Sequence, residues 1–303
     1  MASKSKPRRD IYQEVTDRVL EILRRGTVPW HNPIRPRNGG DGWPKNLASS
    51  KRYRGINIFL LAFMTWHAGY GSDYWVTFKQ AQELGGNVIK GEKSSLVTFW
   101  KLYEKTDIET GEEVTLPCLK HYNVFNVEQC EGLPIPDTME FEPLEFSPIA
   151  AAERIMAGYP NSPTIKIAGN KASYSPSSDT IQIAPAEQFA SRESYYATLF
   201  HEAVHSTGHE LRLNRGIDAL SPFGSPDYGK EELVAEMGAA FLNATAGIID
   251  PTLEQSAAYI EHWQKKIRAD KRLVVSAAAN AQKAADHILG TTWHDQEPSP
   301  KRT

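Results

Sequence analysis

A proline-rich and acidic segment divides this chain of 303 residues into two parts. Residues 131–148, EGLPIPDTMEFEPLEFSP, contain four prolines, which neither a helix interior nor a central strand tolerates, and five acidic residues. We therefore interpret this segment as a linker between two domains. The predicted domains span residues 1–130 and 149–290, and residues 291–303 are predicted to form a disordered tail.

The composition is typical of a globular protein rather than of a membrane or disordered one. Hydrophobic residues make up 40% of the chain and charged residues 23%. No apolar run reaches the roughly 20 residues that span a bilayer, and none follows the basic N-terminus as a secretory signal requires. Cys118 and Cys130 form no recognisable metal or redox motif. These features predict a cytoplasmic protein with free thiols and no membrane contact.

The charges are distributed unevenly, although the net charge is only −3. Residues 1–60 contain 13 Lys and Arg against 5 Asp and Glu, whereas residues 131–303 contain 15 against 23. A basic N-terminal part followed by an acidic remainder is typical of a protein whose N-terminal part binds a polyanion. A basic surface that contacts only solvent would give the same counts. The placement of the aromatic residues therefore has to distinguish a polyanion-binding surface from a solvated one.

The sequence patterns predict an α+β fold in both domains. In the first, Asp10 is placed to cap a helix whose apolar residues extend to Leu23. Two strand-like runs around the polar tip TDIETGEE predict a β-hairpin. In the second domain, two strands precede a helix with Ser191 or Ser194 as N-cap, and a further helix ends at Gly247. Two more helices complete that domain.

The segment HEAVH, which begins at His201, carries the clearest chemical signal. On a helix, His201 and His205 share one face, close enough to bind one metal ion. Glu202 lies near that face, where it can act as the general base on a water molecule that a zinc ion has activated. A structural zinc site would require four ligands, usually cysteine-rich, and no cysteine lies nearby in sequence. The alternative is a chance histidine pair on an exposed helix.

A following helix supplies acidic candidates for a third ligand. In KEELVAEMGAAF, Glu232 and Glu236 lie four residues apart on one face of a helix that is otherwise small and apolar. Two carboxylates on such a helix are costly to bury unless a metal ion or hydrogen-bond donors compensate their charge. The alternative is that both carboxylates point to solvent.

These two motifs resemble the gluzincin branch of zinc metallopeptidases, in which an HExxH helix is followed by a helix with an E-x-x-x-D/E pair. The resemblance implies that Glu232 is the third zinc ligand and that Glu236 accepts a hydrogen bond from His201. If the register differs, Glu236 takes the ligand role. His209 fits the more distant third histidine of the metzincins poorly.

A closer resemblance covers residues 8–290 and concerns the ArdC family of plasmid antirestriction proteins, whose N-terminal domain is similar to part of plasmid TraC primases. It rests on seven phrases in the same order: VPWHNP, YRGINIFLL, WVTFKQAQELGG, IKGEKS, YNVFNVEQC, HEAVHSTGHELRLNR and YGKEELVAEMGAAFL. The resemblance implies an N-terminal domain that binds single-stranded DNA and a C-terminal zincin-like metallopeptidase domain. It also implies protection of incoming conjugative DNA from host restriction enzymes.

Basic and aromatic residues alternate in the irregular N-terminal segment, and they predict an interface for single-stranded DNA. Cations follow phosphates, and exposed rings stack on unpaired bases, which a duplex does not offer. The candidates are Trp30, Arg35, Arg37, Trp43, Lys45, Lys51, Arg52, Tyr53, Arg54, Lys90 and Lys93. Four aromatic residues of the strand-like runs are instead expected in the core: Trp75, Phe78, Phe99 and Trp100.

The sequence leaves three functions open. The first is a protein that binds single-stranded DNA with little sequence preference and cleaves a restriction enzyme or another DNA-bound protein, using one zinc ion per chain. The second is a DNA-coating protein whose metal site is structural or vestigial. The third is a nuclease. The sequence argues against it, because it shows no obvious carboxylate cluster that could bind two metal ions. A site of two histidines and one glutamate also binds other divalent ions in vitro.

Overall fold

The computed structural model describes residues 9–31, 34, 41–106, 113–134, 148–217, 226–249 and 256–291. The backbone forms two compact units, Met1–Leu144 with Leu253–Ala278, and Glu145–Thr252 with Ala279–Thr303. Helices and strands occur in both units, which confirms the predicted α+β fold. Residues 135–147 of the predicted linker and 292–303 of the predicted tail lie outside the described residues.

The first unit is built on a four-stranded sheet in the order β1-β2-β5-β4, with β1 and β2 parallel and the other pairs antiparallel. A separate pair, β3 and β6, is antiparallel. The elements of this part of the chain are α1 (Ile11–Arg24), β1 (Lys45–Asn46), α2 (Ile56–Ala68), β2 (Tyr74–Thr77), α3 (Phe78–Glu83), β3 (Asn87–Val88), β4 (Ser95–Thr106), β5 (Glu113–Asn126) and β6 (Cys130–Glu131).

The predicted hairpin is confirmed, and it extends beyond the sheet. Strands β4 and β5 pair along the whole length of β4, whereas β2 pairs with only the last three residues of β5. At this base, Trp75, Val97 and Val124 pack with Leu61 of α2 in a buried cluster. Beyond these three residues, no further strand of the described chain joins the hairpin. The side chains of its outer part are therefore covered far less.

The expected burial of the four strand-associated aromatic residues holds only in part. Trp75 is fully buried, as expected. Phe99 is half-buried, whereas Phe78 and Trp100 are 52% and 40% exposed. The expectation is wrong for Phe78 and Trp100 because Phe78 begins a surface helix and Trp100 lies on the part of the hairpin that β2 does not reach.

The outer edge of β4 is bonded by a side chain of α2. The amide of Asn57 donates to the carbonyl oxygen of Thr98 at 2.6 Å and accepts from its backbone N–H at 2.7 Å. Both residues are buried. The pair fixes α2 against the strand with the same two bonds that a neighbouring strand would make.

Helix α1 begins at the predicted cap, because the Asp10 side chain accepts a hydrogen bond from the backbone N–H of Gln13. Its buried face contacts a helix from the far end of the sequence, α7 (Ala257–Ala269). The contacts thus group residues 253–278 with the first unit, and the predicted domain 149–290 stays a prediction. Long-range packing of this kind leaves no signal in the local sequence pattern.

The second unit combines a three-stranded sheet with helices. The sheet order is β7-β9-β8, with β7 parallel and β8 antiparallel to β9. The elements of this part are α4 (Pro148–Ala157), β7 (Thr164–Ile167), β8 (Ser173–Ser175), β9 (Thr180–Ile183), α5 (Arg192–Ser206) and α6 (Pro226–Ala246). A last helix, α8 (Leu273–Ile288), begins in the first unit and belongs to the second from Ala279 onward. Ser191 caps α5 by accepting from the N–H of Ser194, and Gly247 follows α6 with a φ of 68°.

No described helix combines the length and the apolar character that a membrane span requires.

Candidate metal centre

Helix α5 presents the two histidines of the HEAVH segment on one face. Its apolar residues Phe200, Ala203 and Val204 are fully buried, which anchors the helix and leaves the imidazoles half-buried on the adjacent face. The Nε2 atoms of His201 and His205 lie 3.1 Å apart. The predicted spacing of these two residues therefore brings two ring nitrogens to one point.

Helix α6 brings Glu232 to the same point. One carboxylate oxygen lies 3.7 Å from Nε2 of His201, and the other lies 3.5 Å from Nε2 of His205. One donor atom from each of the three residues lies within 4.8 Å of the others. Two imidazoles and one carboxylate are the ligands of many catalytic zinc sites, so these residues fit a divalent cation. Within the described chain, Glu236 is not part of this group, and its predicted bond to His201 stays a prediction.

The helices that carry these residues approach closely at Gly238 of α6. A Cβ atom at this position would lie 2.8 Å from both γ carbons of Val204, a buried residue of α5. Glycine at this position therefore allows the backbones to come near enough for Glu232 to reach the two histidines.

Gly238→Ala is expected to weaken metal binding, although alanine favours a helix by about 1 kcal/mol over glycine. Overpacking costs about 1–3 kcal/mol and pushes α6 away from α5. We expect calorimetric titration with Mn(II) to show at least a several-fold loss of affinity. The double variant Gly238→Ala, Val204→Ala removes the clash and should recover most of the affinity. Unchanged binding by the single variant would contradict the role assigned to this contact.

The candidate general base, Glu202, lies beside the cluster and is only 8% exposed. Burial raises the pKa of its carboxyl group, and the neighbouring His205 and a hydrogen bond from the Tyr174 backbone act in the opposite direction. A buried carboxylate with raised basicity is suited to accepting a proton.

A second glutamate, Glu231, was not predicted from the sequence. One of its oxygens lies 3.5 Å from Nδ1 of His205 and accepts a hydrogen bond from Arg215 at 2.5 Å. Arg215 also donates to the carbonyl oxygen of Val204 and to Oγ1 of Thr207 at the end of α5. A carboxylate in this position can orient a ligand histidine. Glu231 thus lies beside His205 as Glu236 was predicted to lie beside His201.

The two histidines differ strongly in proton affinity. Burial and the adjacent His205 lower the pKa of His201 to about 4. Although burial also disfavours the charge on His205, hydrogen bonds to Glu231 and Glu232 raise the pKa of His205 to about 10. Without a bound cation, a proton on His205 thus balances part of the negative charge of the two glutamates.

Arg212 holds the turn that follows the HEAVH segment. Its side chain is fully buried, pairs with Asp179 and donates to the carbonyl oxygen of Ser206 at 2.7 Å. Nδ1 of His209, in the same turn, accepts the N–H of Leu211 at 3.2 Å. His209 is not part of the ligand group among the described residues, in agreement with its poor fit to the metzincin pattern.

The structure places Trp30 in the core rather than at the surface. The side chain is 1% exposed and meets Trp263 of α7 edge-on, with ring centroids 5.8 Å apart. A base cannot stack on a ring that solvent does not reach. The predicted surface position of Trp30 is therefore wrong, because a helix distant in sequence covers it.

Four of the other residues predicted to bind DNA lie in a cluster around Asp41. Arg52 donates to this carboxylate at 2.7 Å and lies over the ring of Trp43, while Lys45 pairs with Asp41 at 3.0 Å. Trp43 is 8% exposed, so its predicted surface position is also wrong. Burial raises the pKa of the neighbouring Tyr53 to about 12. Positive charge in this cluster is thus partly compensated within the protein.

The remaining candidates for the DNA interface are spread over the first unit. Lys51, Lys90 and Lys93 are exposed, and Arg54 is half-buried. Arg35 and Arg37 lie outside the described residues. The binding roles of all these residues stay predictions.

Two family models together cover most of the chain. Residues 150–280 match the zincin-like metallopeptidases, and residues 9–125 match the N-terminal domain of anti-restriction factor ArdC. The fold and the ligand group thus define a protein that joins an ArdC-type domain to a zincin-like metallopeptidase domain, for which a divalent metal is implied. The chain belongs to the ArdC family of antirestriction proteins.

Solved structures and curated relatives agree with this assignment. The crystal structure of antirestriction ArdC protein from the R388 plasmid, in its metal-free form, is 37% identical, with a TM-score of 0.72 over 94% of this chain and 100% of that chain. An Mn(II)-bound structure of the same protein gives the same TM-score and identity, over 93% of this chain and 98% of that one.

Among curated proteins, DNA primase TraC of Escherichia coli is 37% identical over 95% of this chain. The chain spans 28% of that relative's length. The uncharacterized protein y4eC of Sinorhizobium fredii is 34% identical over 97% of this chain and 94% of its own length.

Proposed function

We propose that this chain is an antirestriction protein that binds single-stranded DNA through its N-terminal part and carries a metal-dependent peptidase site in its second part. The convergence of His201, His205 and Glu232 beside the buried Glu202 supports the peptidase site. Membership of the ArdC family supports a role in protecting incoming plasmid DNA from host restriction.

His201, His205 and Glu232 would hold one divalent cation per chain, for which we propose zinc with Mn(II) as a substitute. Such a cation polarises a peptide carbonyl and makes a water molecule more acidic. Glu231 and Arg215 would orient the ring of His205 through Nδ1. The buried position of these groups keeps their geometry fixed before a substrate arrives.

Glu202 would act as the general base and then as the general acid. Its carboxylate would take a proton from the attacking water and deliver it to the nitrogen of the leaving amine. The raised pKa that burial gives this group favours both transfers near neutral pH. A DNA-bound protein, such as a restriction enzyme, is the proposed substrate, because attachment to the same DNA raises its effective concentration.

Glu202→Gln tests this function directly. The variant is expected to keep its metal content and its affinity for single-stranded DNA, but to lose peptide-bond cleavage and the protection of transferred plasmid DNA. Glu210→Gln changes an exposed glutamate of the same segment and should behave like the unmodified protein. Both variants would be compared by mass spectrometry of candidate substrates and by conjugation into a restricting host. Full protection by Glu202→Gln would contradict the peptidase role and favour DNA coating.

A further inference from the structure

One face of the β4–β5 hairpin combines aromatic rings with lysines. In the antiparallel register, Phe99 lies opposite Lys120, and Val97 lies opposite Tyr122. Directly opposed residues share a face of the sheet, and alternate residues of one strand do so too. The aromatic and lysine side chains on this side of the hairpin therefore form a surface that we term the ring–lysine face: Phe99, Lys101, Tyr103, Lys120 and Tyr122. Leu116 and Cys118 lie on the same side.

Two rings of this face are stacked in parallel, and its two tyrosines remain accessible. Phe99 and Tyr122 stack with centroids 4.6 Å apart and planes 6° apart. The ammonium groups of Lys101 and Lys120 lie 5.4 Å and 5.3 Å from the ring centre of Tyr103. Tyr103 and Tyr122 are 41% and 56% exposed. The stacked rings of Phe99 and Tyr122 thus form one aromatic surface, and the ring of Tyr103 forms a second one farther along the hairpin. The two lysines add positive charge beside them.

The opposite face of the hairpin differs in charge and cover. There Trp100 contacts Tyr12 of α1, with ring centroids 6.3 Å apart, and His121 bonds to Arg9 at 2.7 Å. That face also carries Glu104, whereas no described side chain of the ring–lysine face is acidic. Only one side of the hairpin is therefore both open and purely basic among the described residues.

We propose that the ring–lysine face is the surface on which this chain stacks the bases of single-stranded nucleic acid. Exposed rings offer stacking platforms to bases of any sequence, and the lysines between them are placed to follow the phosphates. A duplex has no free base faces to offer these rings. The proposal rests on the single-stranded DNA binding proposed above, and it locates that binding away from the cluster around Asp41, where the cations are already paired.

The double variant Tyr103→Ala, Tyr122→Ala tests the location of the site. We expect its affinity for a fluorescently labelled oligothymidylate, measured by anisotropy, to fall by at least about tenfold, since one stacked base is worth about five- to 150-fold. Leu102→Ala removes a 61% exposed side chain from the opposite face of the same strand and should leave the affinity unchanged. Tyr103→Phe, Tyr122→Phe keeps the rings and should also bind normally.

A second experiment tests the lysines through the salt dependence of binding. Lys101→Gln, Lys120→Gln should reduce the slope of log affinity against log salt concentration by about 1.4, or about 0.7 for each phosphate contact. Lys79→Gln, on the surface helix α3, is the matched control and should leave the slope unchanged. Mn(II) binding and far-UV circular dichroism should be the same for all variants, which separates a lost surface from a lost fold.

The outcomes separate this proposal from the function on which it rests. If the unmodified protein binds the oligonucleotide and the Tyr103→Ala, Tyr122→Ala variant binds it equally well, the location is wrong while the proposed function stands. If the unmodified protein does not bind it, both fail. If the alanine variant instead converts a dimer into monomers without affecting oligonucleotide binding, the face is a contact between copies of this chain and the proposal is overturned.

Discussion

Mn(II) is expected to bind this chain about tenfold more tightly for each unit of pH between about pH 6 and pH 8. Hydrogen bonds to Glu231 and Glu232 outweigh burial and raise the pKa of His205 to about 10, so this residue is protonated throughout that range. A cation must displace that proton to reach the ring nitrogen. His201, with a pKa of about 4, is already neutral and releases none. Calorimetric titrations in buffers of different ionisation enthalpy would count the protons released.

His205→Ala should abolish this binding, whereas His209→Ala should preserve it. Both changes remove a histidine from the same segment, but only His205 lies in the ligand group. Saturating Mn(II), at about 100 times its dissociation constant, would stabilise the unmodified protein by about 2.7 kcal/mol and leave His205→Ala unaffected. An affinity that does not change with pH would contradict a protonated His205, and metal binding by His205→Ala would contradict its role as a ligand.

Arg215→Met is expected to reduce the free energy of unfolding by about 3–5 kcal/mol, because it leaves the charge of Glu231 buried without its main partner. The side chains of Arg215 and Glu231 are only 10% and 8% exposed. Urea denaturation followed by far-UV circular dichroism would measure the loss. The variant should also bind Mn(II) more weakly, since Glu231 is no longer held against His205.

Two further variants control this result. Arg268→Met replaces an exposed arginine of α7 and should change stability by less than about 0.5 kcal/mol. Arg215→Met combined with Glu231→Gln removes the buried charge together with its partner and should recover part of the lost stability. Equal stability of Arg215→Met and the unmodified protein would show that the ion pair makes no net contribution.

Helical periodicity and a family resemblance together identified the main parts of the candidate site. The spacing of His201 and His205 predicted that they share one helix face, and the resemblance to the gluzincins selected Glu232 from the following helix. The structure places these three residues together. Glu231 and Arg215 were missed because no periodic pattern marks them. Arg215 reaches the site only through the turn after α5, in which Asn214 adopts a positive φ of 44°.

The aromatic residues of the first unit show where local patterns are insufficient. Trp30 lies in irregular, polar sequence that suggests exposure, yet Trp263 covers it from a helix distant in sequence. Trp100 lies in strand-like sequence that suggests burial, yet the hairpin carries it past the end of β2. In both cases burial depends on which distant element packs nearby, and the local sequence pattern does not show that.

The amide of Asn57 has a consequence for how copies of this chain behave at high concentration. An edge strand with unpaired backbone N–H and C=O groups can pair with a strand of another molecule. Repeated pairing of this kind leads to aggregation. Because Asn57 already bonds both backbone groups of Thr98, an incoming strand would meet a blocked position near the start of β4. One buried amide thus limits the length of β4 along which a strand from another molecule could pair.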